Sequence, residues 1–200
     1  MTERPSAPAT ERNREAILEI LTDQFSSRSS VLEIGSGTGQ HAVYFASRLP
    51  HLIWQTSDRV QNHAGINAWI DSAAESNVKR PLEIDVQSPP PIAASYEAVF
   101  SANTAHIMSA KAVEAMFELV GTALSAGGGI FCLYGPFNRS GEFTSESNLR
   151  FDASLRSQDP LMGIRNLEDM DTLAEREGMQ RHRLYAMPAN NFVVIWRRTD

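Results

Sequence analysis

The feature that most constrains the fold is a cluster of three glycines that follows a short apolar run. Residues 31–34 read Val-Leu-Glu-Ile, and Gly35, Gly37 and Gly39 follow at alternate positions. Glycine adopts backbone conformations that other residues avoid, so the chain can turn sharply here and approach a ligand closely. Residues 41–48 then have a helical pattern. A strand, a tight turn and a helix in this order predict the first half of a βαβ unit.

The same alternation continues along most of the chain. Further strands are predicted at 52–56 (ending at Asp58), 81–86, 96–101 and 130–134, and further helices at 10–25, 60–76 and 111–124. Residues 87–95 contain three consecutive prolines and leave room only for a short connection. Strands that alternate with helices predict a parallel sheet covered on both faces.

The C-terminal part of the sequence departs from this alternation. The polar stretch 138–165 is long for a connection, and we expect a lid or binding insertion there with a short helix around 151–156. A helix is predicted at 166–177. Two strands, at 181–186 and 192–197, flank the four-residue link 188–191, which predicts an antiparallel hairpin. The fold class is therefore α/β, with a mostly parallel sheet that ends in a hairpin.

Length and composition fit one globular domain. Two hundred residues suffice for a single core, so 9–200 are expected to form one domain after a flexible lead-in at 1–8. The single cysteine, Cys132, excludes an intrachain disulfide and lies in an apolar run, where an inert buried thiol is expected. No apolar signal core or membrane-length stretch occurs, so the expected location is cytoplasmic.

The formal net charge of −6 bears on the choice of partner. An acidic chain has no general attraction to nucleic acid or to an anionic membrane. A small-molecule substrate is therefore the expected partner, while the sequence leaves the oligomeric state open.

Spacing within the glycine cluster separates two classes of nucleotide-binding protein. A dinucleotide fingerprint places a third glycine or alanine three residues after the second, where this chain has Gln40. Here the third glycine is Gly39, and Glu33 precedes the cluster. The resulting acid-x-Gly-x-Gly-x-Gly pattern is typical of S-adenosylmethionine-dependent methyltransferases.

Two further carboxylates fall at the ends of predicted strands. Asp58 ends the second strand and is placed to accept hydrogen bonds from both ribose hydroxyls of an adenosyl group. Asp85 ends the third strand, where its side chain or the Val86 amide is placed to reach the adenine edge. The alternative is structural: strand-end aspartates often cap helices, and Glu33 would be a buried acid bonded to backbone amides.

These motifs resemble the class I methyltransferases and, more narrowly, the methyltransferase-like 26 family. The resemblance covers nearly the whole chain. It includes residues 11–13, 33–41, 54–58, 103 with 106, 134–137, 141, 144–148, 151–152, 155–156, 159–160, 163–165 and 187–191. It implies a Rossmann-like sheet of seven strands with the last antiparallel, and S-adenosylmethionine as the cofactor. It implies no particular methyl acceptor.

The candidate site residues follow from these positions. His106 is the best-placed base because imidazole titrates near neutrality, and Tyr134 is a second catalytic candidate that is placed to orient an acceptor. Each has a structural alternative, a hydrogen-bonded histidine and a buried tyrosine ring. The cofactor-binding candidates are Glu33, Gly35, Gly37, Gly39, His41, Asp58, Asp85, Val86 and Asn103. The acceptor-binding candidates are Arg12, Asn13, Asn138, Ser147, Asn148 and Arg156, and no metal site is predicted.

The leading hypothesis is an S-adenosylmethionine-dependent methyltransferase that acts on a small polar acceptor. One alternative is methylation of protein or RNA, for which the arginines at 176, 181, 183, 197 and 198 would supply a basic patch. Another is a module that binds the cofactor without turnover. A dinucleotide oxidoreductase is disfavoured by the position of Gln40.

Overall fold

The structure is a computed structural model that describes residues 4–74, 77–92 and 95–199. It comprises two compact units, Met1–Ser101 and Ala102–Asp200. In chain order the elements are α1 (Pro8–Gln24), β1 (Ser30–Ile34), α2 (Gln40–Ala46), β2 (Ile53–Asp58), α3 (His63–Asp71), β3 (Val78–Glu83), β4 (Ala98–Ala102), α4 (Ala110–Ala123), β5 (Ile130–Gly135), β6 (Phe137–Asn138), α5 (Glu146–Gln158), β7 (Arg165–Asn166), α6 (Leu167–Arg176), β8 (Met179–Met187) and β9 (Asn191–Arg198), with 3-10 turns at Val60–Asn62 and Pro188–Asn190.

Seven strands form one sheet in the order β3-β2-β1-β4-β5-β9-β8. β1 pairs in parallel with β2 and with β4, and β2 pairs in parallel with β3. β9 is antiparallel to both of its neighbours, β5 and β8. The predicted fold class, a mostly parallel sheet that ends in an antiparallel hairpin, is confirmed.

In the first unit, β1 lies between β2 and β4 and is almost fully buried. Its register places Ile34 beside Ser57, so the glycine turn begins next to the carboxyl end of β2. An aromatic cluster of Phe45, Trp54 and Phe100, with ring centroids 5.5 to 5.8 Å apart, forms the core. Burial of three such rings provides much of the hydrophobic stabilisation of this unit.

The third strand begins and ends earlier than the sequence predicted. It spans Val78–Glu83 instead of 81–86, and Asp85 therefore lies two residues beyond its end. Pro81 is the first residue of the predicted strand. β3 is an edge strand, where a missing backbone N–H costs no ladder hydrogen bond, so proline is tolerated inside it.

The third helix of the first unit, α3, is shorter than predicted. The segment predicted at 60–76 opens with a 3-10 turn, and α3 ends at Asp71. Ser72 ends the helix, and its hydroxyl donates to the Trp69 carbonyl at 2.8 Å, which satisfies a carbonyl of the last turn. Residues 75 and 76 lie outside the described part of the chain. The described residues between β3 and β4 contain no helix, in line with the predicted short connection.

In the second unit, β5 is buried along its whole length. Phe117, Phe131 and Trp196 pack with ring centroids 5.4 to 5.5 Å apart. The Trp196 indole N–H donates to Asp171 at 2.9 Å, so the one polar atom of this ring has a partner. Cys132 is fully buried, and burial raises the pKa of its thiol, in line with the expected inert role.

The polar stretch after β5 is more ordered than the sequence indicated. β6 and β7 pair in parallel through Phe137↔Arg165 and Asn138↔Asn166, which closes the base of the insertion. The helix predicted around 151–156 extends over the whole of α5. Ser145 caps the helix, because its hydroxyl accepts from the Asn148 amide at 3.1 Å. α5 has few apolar residues, so its full length was not evident from the sequence.

No helix among the described residues is long and apolar enough to cross a membrane.

Gly39 is the position in the glycine turn where backbone geometry excludes a side chain. Its φ of +89° lies in the left-handed region, and a Cβ there would stand 2.9 Å from the Ile66 Cα of α3. Gly37 has a φ of +57°, but a Cβ there would meet nothing within 4 Å. We expect Gly39→Ala to lower the free energy of unfolding by ~3 kcal/mol. The control Gly37→Ala should lose only ~1 kcal/mol.

Urea unfolding followed by circular dichroism measures both variants. Equal losses would show that the close approach to α3 does not control this turn.

Candidate functional site

The glycine turn of the first unit is fixed by hydrogen bonds to the end of β2. The backbone amides of Gly35 and Ser36 donate to the Ser57 carbonyl at 3.1 and 2.9 Å. The next amide, of Gly37, donates to the Asp58 carboxylate at 2.7 Å. Three successive N–H groups thus have partners on two adjacent residues, and this sets the path of the chain into α2.

Asp58 accepts three hydrogen bonds within the protein. Its Oδ2 binds the Gly37 amide, and its Oδ1 accepts from the Arg59 amide and the Asn62 side chain, both at 2.8 Å. The side chain is nearly buried. A carboxylate offers about four acceptor positions, so one position, on Oδ2, is available for a further donor. In this geometry Asp58 has room for one ribose hydroxyl instead of the two expected from the sequence.

Glu33 lies beneath the glycine turn as a buried acid. Its Oε2 accepts from the Ser36 hydroxyl at 2.8 Å and from the Trp54 indole N–H at 3.1 Å. Burial raises the pKa of this carboxyl group to about 7, because desolvation outweighs the two hydrogen bonds that lower it. The partners are side chains instead of the backbone amides considered above. A cofactor-binding role for Glu33 stays a prediction.

His41 is held inside the first unit. Its Nε2 lies 2.8 Å from the Asn13 side-chain oxygen, and its ring stacks on Phe45 at 5.1 Å. Burial, with the charge of Arg14 as a second cause, lowers the pKa of His41 to about 4. Asn13, predicted to bind the acceptor, is therefore occupied in orienting this imidazole, whereas Arg12 is exposed on α1.

Asp85 and Val86 are placed less favourably than the sequence indicated. Asp85 is exposed, and its Oδ1 accepts from the Gln87 amide at 3.0 Å, a local turn-capping contact. Val86 is nearly buried. No helix follows Asp85 among the described residues before β4, so this contact is a turn contact and not the helix cap of the structural alternative. A contact with adenine stays a prediction.

In the second unit, His106 is a buried side chain. Its ring meets Phe151 of α5 edge-on at 5.2 Å, and its carbonyl accepts from the Gly163 amide at 2.9 Å. Burial, with the charge of Arg165 as a second cause, lowers the pKa of His106 to about 4. The imidazole is therefore neutral at physiological pH.

Asn103 and Tyr134 stand near the strand ends of the same unit. Asn103 has a left-handed φ of +59°, and its amide donates to the Tyr134 carbonyl at 2.9 Å. Tyr134 is buried, as in the structural alternative for its ring. A cofactor contact of Asn103 and a catalytic role of Tyr134 stay predictions.

Arg165 and Asp152 hold the insertion in place, and sequence reasoning did not select either as a site residue. The Arg165 guanidinium donates to three backbone carbonyls, those of Ala105, Met108 and Leu161. Asp152 is buried and accepts from the Ile164 amide at 2.7 Å and from Arg156 at 2.6 Å. Only the i,i+4 spacing of Asp152 and Arg156 was visible in the sequence.

The remaining acceptor candidates divide into two groups. Asn148 and Ser147 tie the start of α5 to the hairpin link: Asn148 donates to the Asn190 carbonyl at 3.1 Å, and the Asn190 side chain donates to Ser147 at 3.1 Å. Asn138 is different, because its Oδ1 is buried and has no hydrogen-bond partner among the described residues. A buried acceptor of this kind calls for a donor from a ligand or from water.

The described residues contain no group of three or more histidine, cysteine or acidic side chains that would hold a metal ion.

Residues 4–198 match the profile of DUF938, described as a protein of unknown function. The chain belongs to the DUF938 family. Structures of similar fold are methyltransferases. SibL, an S-adenosylmethionine-dependent methyltransferase in its apo form, is 20% identical with a TM-score of 0.80; the match covers 96% of the DUF938 chain and 56% of SibL.

Two further solved structures share the fold with the DUF938 chain. An O-methyltransferase family protein from Burkholderia thailandensis is 12% identical with a TM-score of 0.82, over 96% of this chain and 58% of that one. Human N-acetylserotonin methyltransferase, in complex with S-adenosylmethionine, is 13% identical with a TM-score of 0.75, over 94% and 55%. The chain spans a little over half the length of these proteins, and it has their methyltransferase fold.

The raised pKa of Glu33 makes stability depend on pH with a defined sign. The folded protein holds this proton more tightly than the unfolded chain, whose carboxyl pKa is near 4.5. The contribution to stability is therefore complete below pH 4.5 and is lost as the pH rises through about 7. A shift of that size corresponds to ~3 kcal/mol.

Glu33→Gln mimics the protonated acid and should remove this pH dependence. We expect the variant to match the unsubstituted protein at low pH and to exceed it by up to ~3 kcal/mol above neutrality. Urea unfolding across this pH range measures the difference, with the exposed Glu19→Gln as the control. A constant difference at every pH would contradict a neutral Glu33.

Proposed function

We propose that this DUF938 protein is an S-adenosylmethionine-dependent methyltransferase that acts on a small polar acceptor. The observation that carries the proposal is the hydrogen bond from the Gly37 amide to the Asp58 carboxylate. It combines an open glycine turn with a nearly buried carboxylate that has one acceptor position left. The fold shared with methyltransferases supports the same conclusion.

The residues of the first unit fit an adenosylmethionine ligand. Gly37 leaves space where a side chain would otherwise project, so the turn can be approached closely. Asp58 would accept from a ribose hydroxyl, and Asp85 or the Val86 amide would meet the adenine edge. When bound, S-adenosylmethionine supplies a methyl group on a positively charged sulfur, which is already electrophilic.

Because the donor is reactive, the protein's task is to position an acceptor and exclude water. Within the second unit, the insertion carries the polar groups that we propose for acceptor binding, among them Asn138 with its unpartnered oxygen. Arg156 would bind an anionic acceptor only by sharing its guanidinium with Asp152, to which it is already paired. A neutral acceptor that carries a hydrogen-bond donor fits Asn138 better.

Two of the five arginines that would serve a protein or RNA substrate are paired with carboxylates. Arg176 pairs with Glu114, Arg181 pairs with Asp171, and Arg198 donates to the Gly121 and Leu124 carbonyls. Paired arginines offer little free charge to a phosphate backbone. This favours the small acceptor. We also propose that the resemblance to the methyltransferase-like 26 family reflects kinship, supported by the motifs at 134–137 and 187–191.

Calorimetry with S-adenosylmethionine, S-adenosylhomocysteine and NAD tests the donor. We expect micromolar binding of the two adenosyl ligands and none of NAD. All three protein partners of Asp58 are donors. Asp58→Asn must therefore turn its amide toward one of them, and it should weaken binding at least about tenfold. The exposed Asp23→Asn is the control. Failure of folded protein to bind either adenosyl ligand would reject the proposal.

His106 is proposed as the base when the acceptor carries a proton. Its pKa of about 4 means that it stays neutral well below physiological pH. The rate of methyl transfer from labelled donor to a metabolite extract should then show no His106-dependent decline until the pH falls toward about 4. His106→Asn should lower that rate, whereas His182→Asn, a half-buried position on β8, should not. A decline centred near the ordinary histidine pKa that disappears in His106→Asn would contradict a neutral buried imidazole.

A further inference from the structure

The first unit contains a pocket beside the start of α2, and Gln40, the residue after the glycine turn, is part of its lining. Its volume is about 320 Å³, and α1 with the residues before it, α2, and α3 with the residues after it contribute its lining. Three of the lining residues are arginines: Arg4, Arg14 and Arg48. Neither the glycines of the turn nor Asp58 lines it, so it is separate from the proposed donor site.

The three arginines have no acidic partner in the described part of the chain. Five other arginines are paired with carboxylates; these are Arg80, Arg150, Arg156, Arg176 and Arg181. No lining residue of the pocket is acidic. In a chain of net charge −6, three unneutralised guanidinium groups around one cavity form a local positive site.

Aromatic rings hold the guanidinium groups in place. The guanidinium carbons of Arg14 and Arg48 lie 4.6 and 3.7 Å from the ring centre of Tyr44. That of Arg4 lies 4.7 Å from the ring centre of Trp69. Stacking on a ring uses the flat face of guanidinium and leaves the N–H groups at its edge for hydrogen bonds.

Many of these N–H groups are still available. Arg48 uses Nη1 for the Tyr44 carbonyl and the Ser47 hydroxyl, and Arg4 uses Nη1 for the Ser72 hydroxyl. The Nε of Arg14 is buried without a hydrogen-bond partner among the described residues. Each guanidinium has five donors, so the pocket has many more donors than the protein satisfies.

We propose that this pocket binds the phosphate group of a small phosphorylated molecule. A phosphate monoester carries close to two negative charges at neutral pH and three acceptor oxygens. That charge and geometry match several guanidinium groups, whereas a carboxylate is satisfied by one. The finite volume of the pocket and the acidic balance of the chain favour a small molecule over a nucleic acid backbone.

The test uses inorganic phosphate and phenyl phosphate as probes, with benzoate as the carboxylate of similar shape. Binding is measured by calorimetry and by the shift of the Trp69 indole N–H signal in NMR spectra. We expect both phosphates to bind with dissociation constants of ~1 mM or below, and benzoate to bind at least about tenfold more weakly. Added salt should weaken phosphate binding.

The variant Arg14→Gln/Arg48→Gln should weaken phosphate binding by about a hundredfold, since two charge-assisted partners are lost. Arg80→Gln, on the same unit, is the control. Thermal unfolding verifies that both variants fold, and unchanged S-adenosylmethionine binding separates this site from the donor site. Phosphate affinity unaffected by the double variant would overturn the proposal. So would benzoate binding as tightly as phenyl phosphate, or single-stranded RNA binding through these arginines when phosphate does not bind.

Discussion

The hydrogen bonds between the glycine turn and the end of β2 are the contact on which the arrangement of the first unit depends. The three backbone amides that follow β1 donate to the Ser57 carbonyl and to the Asp58 carboxylate. Because the turn is fixed in this way, α2 starts at a defined place. His41 is then positioned by Asn13, and Gly39 is positioned against α3. The carboxylate of Asp58 that fixes the turn also keeps one acceptor position on Oδ2. The same side chain therefore has a structural role and the proposed binding role.

The polar groups beneath and around these sites are kept neutral by burial. The pKa of Glu33 is raised to about 7, so this acid is uncharged below that pH. The pKa values of His41 and His106 are lowered to about 4, so both imidazoles are uncharged above that pH. An uncharged Glu33 costs less to bury than a carboxylate would, and it still accepts from Ser36 and Trp54. Asp58 and the arginines of the pocket are the charged groups that stand where ligands are proposed in the first unit.

The order of strands and helices could be predicted from the sequence because each element repeats its own period of apolar residues. Boundaries failed where tertiary position overrides local preference. Pro81 reads as a strand start, but an edge position tolerates it inside β3. The glycine turn and Asp58 were predictable because they are close in sequence to the strand ends. The ties made by Arg165, and the grouping of Arg4, Arg14 and Arg48, join segments far apart in sequence, and no local pattern encodes them.

The two outer strands of the sheet have a consequence for its self-association. β3 carries Lys79 and Arg80 beside Pro81, and β8 carries Arg181, His182 and Arg183. Proline removes a donor from one exposed rim, and Lys79 and Arg183 add charge to the two rims, whereas Arg80 and Arg181 are paired with Asp71 and Asp171. Extension of the sheet by addition of a strand from a neighbouring molecule is thereby opposed at each end. The chain can then expose its strand rims at high concentration without starting fibril growth from them.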